Sequence, residues 1–64
     1  MDAKKYLHKH LQVRETNGRG DLLDMVVVEV SKDGQIMRVT GDIVDLLVIE
    51  EFENNFSIVN VLEN

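Results

Sequence analysis

The stretch that decides the fold runs from Met25 to Leu62 and reads MVVVEVSKDGQIMRVTGDIVDLLVIEEFENNFSIVNVL. Three pairs of turn-forming residues interrupt it: Asp33-Gly34, Gly41-Asp42 and Asn54-Asn55. Asp-Gly and Asn-Asn suit the positive-φ positions of a type I′ turn, and glycine in the first central position suits a type II′ turn. The pattern therefore predicts four strands, joined by two-residue turns into an antiparallel meander.

A two-residue turn also fixes which residues face each other across a hairpin. The first two turns place Arg38 opposite both Glu29 and Asp45, which predicts a charge triplet across three strands. Cross-strand ion pairs of this kind contribute a few tenths to about 1 kcal/mol each. The same register collects apolar side chains on one face of the sheet: Val26, Val28, Val30, Met37, Val39, Val44, Leu46, Val48, Phe52, Val59 and Val61.

Residues 43–53 are also compatible with a helix, with Asp42 as its N-cap and Asp45 as a capping-box partner. The apolar residues of this segment surround the helix axis instead of forming a stripe. Several residues in its first turns are β-branched, which favours a strand. We take the strand as the interpretation and keep the helix as an alternative.

The segment 1–15 is basic and is predicted to form a helix over residues 3–14, capped by Asp2. Its apolar residues recur at four-residue spacing: Ala3, Leu7 and Leu11. A strand is the alternative, because apolar and polar residues also alternate here. With that strand, the domain becomes an all-β five-stranded sheet or small barrel.

The predicted organisation is a single α+β domain over residues 1–64, an N-terminal helix followed by a four-stranded antiparallel meander. Residues 16–21 contain two glycines and no apolar residue, which predicts a flexible loop. Residues 22–62 then form the antiparallel sheet.

The composition excludes several classes of protein. The chain has no cysteine and no apolar run of membrane-spanning length. No apolar segment of a secretory signal follows Met1 to Lys5, so we expect a soluble cytoplasmic protein. Residues 1–20 hold five basic and two acidic residues, a net +3, whereas residues 21–64 hold two basic and ten acidic residues, a net −8. We interpret the basic segment as lying on or beside the acidic sheet, or on that of a partner subunit.

The motifs do not converge on a catalytic or metal site. His8 and His10 point apart on the predicted helix, and no third ligand has matching spacing. Arg19-Gly20-Asp21 matches the integrin-recognition tripeptide, which we interpret as loop chemistry. The glycines of this loop are not followed by the lysine that a phosphate-binding loop needs. We expect no catalytic residue, no cofactor and no metal ion.

The expected function is that of a small, non-enzymatic protein-protein interaction module, regulatory or inhibitory, which acts as a homo-oligomer. One short helix cannot cover both faces of the sheet, so the second face is expected to bind another copy. The residues of this oligomer face are Val27, Ile36, Leu47, Ile49 and Ile58. An acidic rim is expected to bind a further, unidentified protein, which we expect to be basic: Asp42, Asp45, Glu50, Glu51 and Glu53.

The alternative function is nucleic-acid binding through the basic N-terminal segment. Its contacts to phosphates would come from Lys4, Lys5, Lys9 and Arg14. A helix followed by a bent antiparallel sheet is similar in element order to small nucleic-acid-binding barrels of the Sm-like type, with which the sequence shares no motif. The net charge of −5 works against this alternative.

Overall fold

The structure, a computed structural model, describes residues 2–18 and 20–62. The described residues form, in chain order, a 3₁₀ turn (Ala3–Tyr6), β1 (His10–Glu15), β2 (Leu23–Val30), β3 (Ile36–Gly41), β4 (Asp45–Val48), α1 (Ile49–Asn55) and β5 (Phe56–Leu62). The strands pair into one antiparallel sheet in the order β4-β3-β2-β1-β5. The last strand therefore returns to pair with the first.

The predicted fold, an N-terminal helix followed by a four-stranded meander, is wrong. Helical structure at this end is a single 3₁₀ turn, although Asp2 caps it as expected, its Oδ1 accepting a hydrogen bond of 2.9 Å from Lys4 N. His8 then adopts a φ of +65° and donates its backbone N–H to Val27 O at 2.8 Å. This hydrogen bond joins the chain to the sheet, and residues 10–15 follow the period-two alternative as β1.

The predicted third strand, residues 43–53, is divided between β4 and α1. Ile49 and Phe52 are buried, and their three-residue spacing places them on one face of α1. Ile49 N also donates a 2.8 Å hydrogen bond to Gln35 O, which ties the start of α1 to the β2–β3 loop. The predicted hairpin at Asn54-Asn55 is absent, because α1 runs directly into β5 and β5 pairs with β1.

The β2–β3 hairpin forms at Asp33-Gly34 as predicted, and Glu29 lies opposite Arg38. Its turn is not type I′, since Gly34 supplies a positive φ of +76° and Asp33 does not adopt one. A register irregularity between Val27 and Glu29 places Val27, and not Val28, opposite Val39. In this part of β2, Val27 therefore faces the core in place of Val28, which is exposed on the opposite side.

The predicted register of β3 and β4 is wrong by one residue. Asp45 lies opposite Val39, and Leu46 takes the place opposite Arg38. The connection thus encloses one more residue than a two-residue turn at Gly41-Asp42 permits. The predicted charge triplet is reduced to the pair of Arg38 with Glu29.

The hydrophobic core lies on one face of the sheet, which we call the inner face, and is covered by the 3₁₀ turn and α1. Its buried side chains are Ala3, Leu11, Val13, Met25, Val27, Met37, Val39, Ile49 and Phe52. Burial of one large apolar side chain stabilises a fold by roughly 1.5–3 kcal/mol. The opposite side of the sheet, the outer face, is left without a covering element among the described residues.

Gly41, at the end of β3, lies against the backbone of β2, which leaves no room for a side chain. Its φ is +122°, and a Cβ would lie 2.5 Å from the carbonyl oxygen of Asp24. We expect Gly41→Ala to lower the free energy of unfolding by about 2–4 kcal/mol, because strain and a backbone clash add. Gly18 has a φ of +76° and open space around it, so Gly18→Ala is the matched control, with a loss of about 1 kcal/mol. Urea denaturation measures both, and equal losses would contradict a clash at Gly41.

Candidate functional site

The outer face of β3 and β4 carries apolar side chains that stay exposed in a single chain. Ile36, Leu46 and Val48 are 41%, 54% and 41% exposed, and Val44, just before β4, is 76% exposed. Ile36 lies directly opposite Val48, and alternation along β4 places Leu46 on the same face. Val44 lines a groove together with Arg38 and Leu46, so it borders the same face. We call Ile36, Val44, Leu46 and Val48 the outer patch.

An ion pair borders the outer patch on the side of β2. Arg38 Nε lies 3.0 Å from Glu29 Oε1, and both side chains are more than half exposed. An ion pair this exposed contributes at most about 1 kcal/mol to stability. Two shallow grooves of about 230 and 320 Å³ meet at Arg38 and Leu46. The surface thus offers apolar contact area beside one cation and one anion that balance each other.

The other half of the outer face, over β5, β1 and β2, carries a row of hydrogen-bonded polar side chains. Asn60 Nδ2 donates to Gln12 Oε1 at 2.9 Å, and Gln12 Nε2 donates to Asp24 Oδ1 at 3.1 Å. His10 Nε2 lies 2.8 Å from the same carboxylate oxygen. We call Asn60, Gln12, Asp24 and His10 the polar row. The row connects three strands, so its side chains are already engaged with one another.

The residues predicted as an oligomer face do not form one exposed surface. Val27 and Ile49 are fully buried in a single chain, and Leu47 and Ile58 pack against the same core. Ile36 alone of this set lies in the outer patch. The one-residue shift between β3 and β4 accounts for Leu47, because it turns Leu47 inward and Leu46 outward.

The predicted acidic rim is divided between a loop, β4 and α1. Asp42 Oδ2 accepts a 2.8 Å hydrogen bond from Asp24 N, and Asp45 Oδ1 accepts one of 2.7 Å from Leu46 N. The Asp42 carboxylate therefore binds the backbone of β2, and the Asp45 carboxylate binds the backbone of β4. Glu50 and Glu51 are exposed in the first turn of α1, while Glu53 is partly buried.

The basic residues predicted to contact nucleic acid lie along an extended segment. Lys4 and Lys5 belong to the 3₁₀ turn, Lys9 precedes β1, and Arg14 lies near the end of β1. Lys9 and Arg14 are separated by about 16 Å of extended chain, so they do not form a compact cluster. The similarity to Sm-like barrels depends on a helix at the start of the chain. This part of the chain instead forms the 3₁₀ turn and β1, so the element order differs. Arg19, of the tripeptide Arg19-Gly20-Asp21, lies outside the described residues.

Comparison with known proteins adds no further assignment. No protein-family model, no curated protein and no solved structure matches the chain. Within residues 2–18 and 20–62, His, Cys, Asp and Glu side chains form no group of three that could hold a metal ion. In the same part of the chain, neither helix has the length and apolar character needed to cross a bilayer. The outer patch therefore has to be interpreted from its own residues.

The polar row makes stability depend on pH through Asp24. The hydrogen bonds from Gln12 and then from His10 hold the pKa of Asp24 below its ordinary value of 3.8. A carboxyl group whose pKa is lower in the folded chain stabilises the fold above its unfolded pKa, and this contribution is lost as the pH falls through the folded pKa. We expect Asp24→Asn to destabilise the protein at about pH 7, and the difference from the wild type to shrink at about pH 3.

Urea unfolding at both pH values measures this difference. Asp21→Asn changes an exposed loop carboxylate of the same type and serves as the control. A destabilisation by Asp24→Asn that is the same at both pH values would contradict the role of the ionised carboxylate.

Proposed function

We propose that the protein is a small non-enzymatic interaction module that associates with a second copy of itself through the outer patch. The observation that carries the proposal is the exposure of four contiguous apolar side chains on a sheet face: Ile36, Val44, Leu46 and Val48. Removing apolar surface from water stabilises an association by about 25 cal/mol per Å². Contiguous apolar surface of this kind is typical of a protein-protein interaction site.

The charge distribution supports a second copy as the occupant. The chain carries a net charge of −5, so most approaches of two copies bring like charges together. The outer patch itself is uncharged, and at its border Arg38 balances Glu29. Asp45 and Glu51 line the grooves beside the patch, so the repulsion is confined to its border. Contact through the uncharged centre of this face therefore limits electrostatic repulsion between two copies.

The size of the chain is also compatible with such a contact. The accessible surface of one chain is 4252 Å². A stable interface of standard size covers about 800 Å² of each partner, roughly a fifth of this surface. The outer face of β3 and β4, with the neighbouring part of β2, is apolar at its centre and polar at its border, which is the usual arrangement of such interfaces.

The regulatory part of the proposal requires a surface that stays accessible in the dimer. Glu50 and Glu51 lie on α1, which packs against the inner face, and both are exposed in a single chain. Glu51 lines a groove with Leu46 and Val48 at the border of the outer patch, whereas Glu50 does not line this groove and is expected to stay in solvent in the dimer. Glu50 is therefore the acidic side chain of α1 that a basic protein partner would meet. The nucleic-acid alternative stays a prediction from the sequence.

The self-association is tested by measuring the mass of the protein in solution. We expect light scattering after size-exclusion chromatography to give twice 7.3 kDa for the wild type and 7.3 kDa for Leu46→Lys. The lysine places a charge in the apolar contact, which desolvation makes costly. Because Leu46 is 54% exposed in one chain, the substitution is expected to leave the fold intact, and circular dichroism checks this.

Asn54→Lys is the matched control, since it adds the same charge at an exposed position of α1 outside the outer patch. We expect this variant to keep the mass of the wild type. A wild type of 7.3 kDa at millimolar concentration, or a dimer that Leu46→Lys leaves intact, would overturn the proposal.

A further inference from the structure

We infer that the two copies are related by a two-fold axis that runs along the strands midway between β3 and β4, so that Arg38 and Leu46 of different copies meet. The inference rests on the proposed self-association and adds its geometry. On the outer face of one chain, Ile36 lies opposite Val48 and Arg38 opposite Leu46. These two pairs make the outer face of β3 and β4 complementary to itself.

The complementarity follows from the symmetry of a dimer. In a dimer of stacked sheets, the two-fold axis lies in the plane between the sheets and exchanges the strands on its two sides. With the axis between β3 and β4, each β3 lies over β4 of the second copy, with the two sheets about 10 Å apart and nearly aligned. Residues that are opposite within one chain are then also opposite across the interface. Ile36 contacts Val48 of the second copy, and Arg38 contacts Leu46 of the second copy.

The contact between Arg38 and Leu46 suits both side chains. The aliphatic part of an arginine covers apolar surface while its guanidinium group stays near water. The guanidinium group of Arg38 is already paired with Glu29 on β2, which this axis leaves at the border of the interface. The interface therefore buries no unpaired charge from this pair. An unpaired buried charge would weaken the dimer.

An axis one strand further along is less favourable. Midway between β2 and β3, it would place Arg38 over Glu29 of the second copy. It would also place β4 over β1 of the second copy, because the strand order is β4-β3-β2-β1. The outer face of β1 carries His10 and Gln12 of the polar row, so the apolar side chains of β4 would lie against polar groups. The burial of Leu46 and Val48 therefore favours the axis between β3 and β4.

The axis is tested by mixing two variants that carry opposite charges at the contact. Leu46→Lys places a lysine against Arg38 of the second copy, so this variant is expected to stay a monomer alone. Arg38→Glu removes the aliphatic chain that covers Leu46 of the second copy and brings an unpaired carboxylate into the interface, which weakens this variant's own dimer. In a mixed dimer, the glutamate of the Arg38→Glu chain meets the lysine of the Leu46→Lys chain. At the second, symmetry-related contact, Arg38 of the Leu46→Lys chain meets Leu46 of the Arg38→Glu chain, as in the wild type. We expect the mixed dimer to form with at least tenfold higher affinity than either variant's own dimer, which native mass spectrometry with one isotope-labelled variant measures.

Lys32→Glu provides the matched control for Arg38→Glu, since it makes the same change of charge at an exposed residue of the β2–β3 loop. We expect a mixture of Lys32→Glu with Leu46→Lys to form no favoured mixed dimer. The axis is wrong if both mixtures form mixed dimers equally, or if neither mixture forms them. In either case the proposed function stands, provided that the wild type is a dimer and that Leu46→Lys dissociates it. If the wild type itself is a monomer, both proposals fail.

Discussion

The pairing of β1 with two neighbours, β2 on one side and β5 on the other, is the constraint on which the rest of the structure depends. It places Leu11 and Val13 at the middle of the inner face, where both are fully buried. It also joins segments that are more than forty residues apart in sequence, and the hydrogen bond of 2.9 Å from Thr16 N to Asn55 O reinforces the junction. Because β5 occupies the edge beside β1, it cannot pair with β4. The strand β4 therefore forms the other edge of the sheet.

This strand order divides the outer face into two chemically different halves. Over β5, β1 and β2 the polar row binds itself together, so three strands share one hydrogen-bonded network. Over β3 and β4 the side chains are apolar and exposed, and Arg38 with Glu29 marks the boundary. The polar row already satisfies its own hydrogen bonds, although Val28 on β2 and Leu62 on β5 are also exposed on these strands. The half over β3 and β4 has no such network, and it gains whenever water is removed from its apolar side chains. This difference between the halves is the reason that the proposed association uses the outer patch.

The local parts of this architecture could be predicted from the sequence, and the long-range parts could not. The hairpin at Asp33-Gly34 depends on neighbouring residues, so its turn chemistry was sufficient to place Glu29 opposite Arg38. The segment that becomes β1 carries both a four-residue and a two-residue apolar spacing, and pairing with distant strands decides between them. No local pattern marks the irregularity at Val28 or the extra residue in the β3–β4 connection, yet each moves side chains from one face to the other. The candidate site is affected most, because the register predicted from the sequence places Leu46 and Val48 on the wrong face.

The small size of the chain links its stability to its assembly. A domain of 64 residues buries a smaller share of its surface than a larger domain does, and this chain has no disulfide to compensate. The helix α1 packs with Ile49 and Phe52 on the inner face, as does the 3₁₀ turn with Ala3, so no further element of the described residues is left to cover the outer face. In the proposed dimer, a second copy would cover that face without adding residues to the chain. Any partner that binds only the folded chain also stabilises it by mass action, so association through the outer patch would add stability that the core of one chain does not supply.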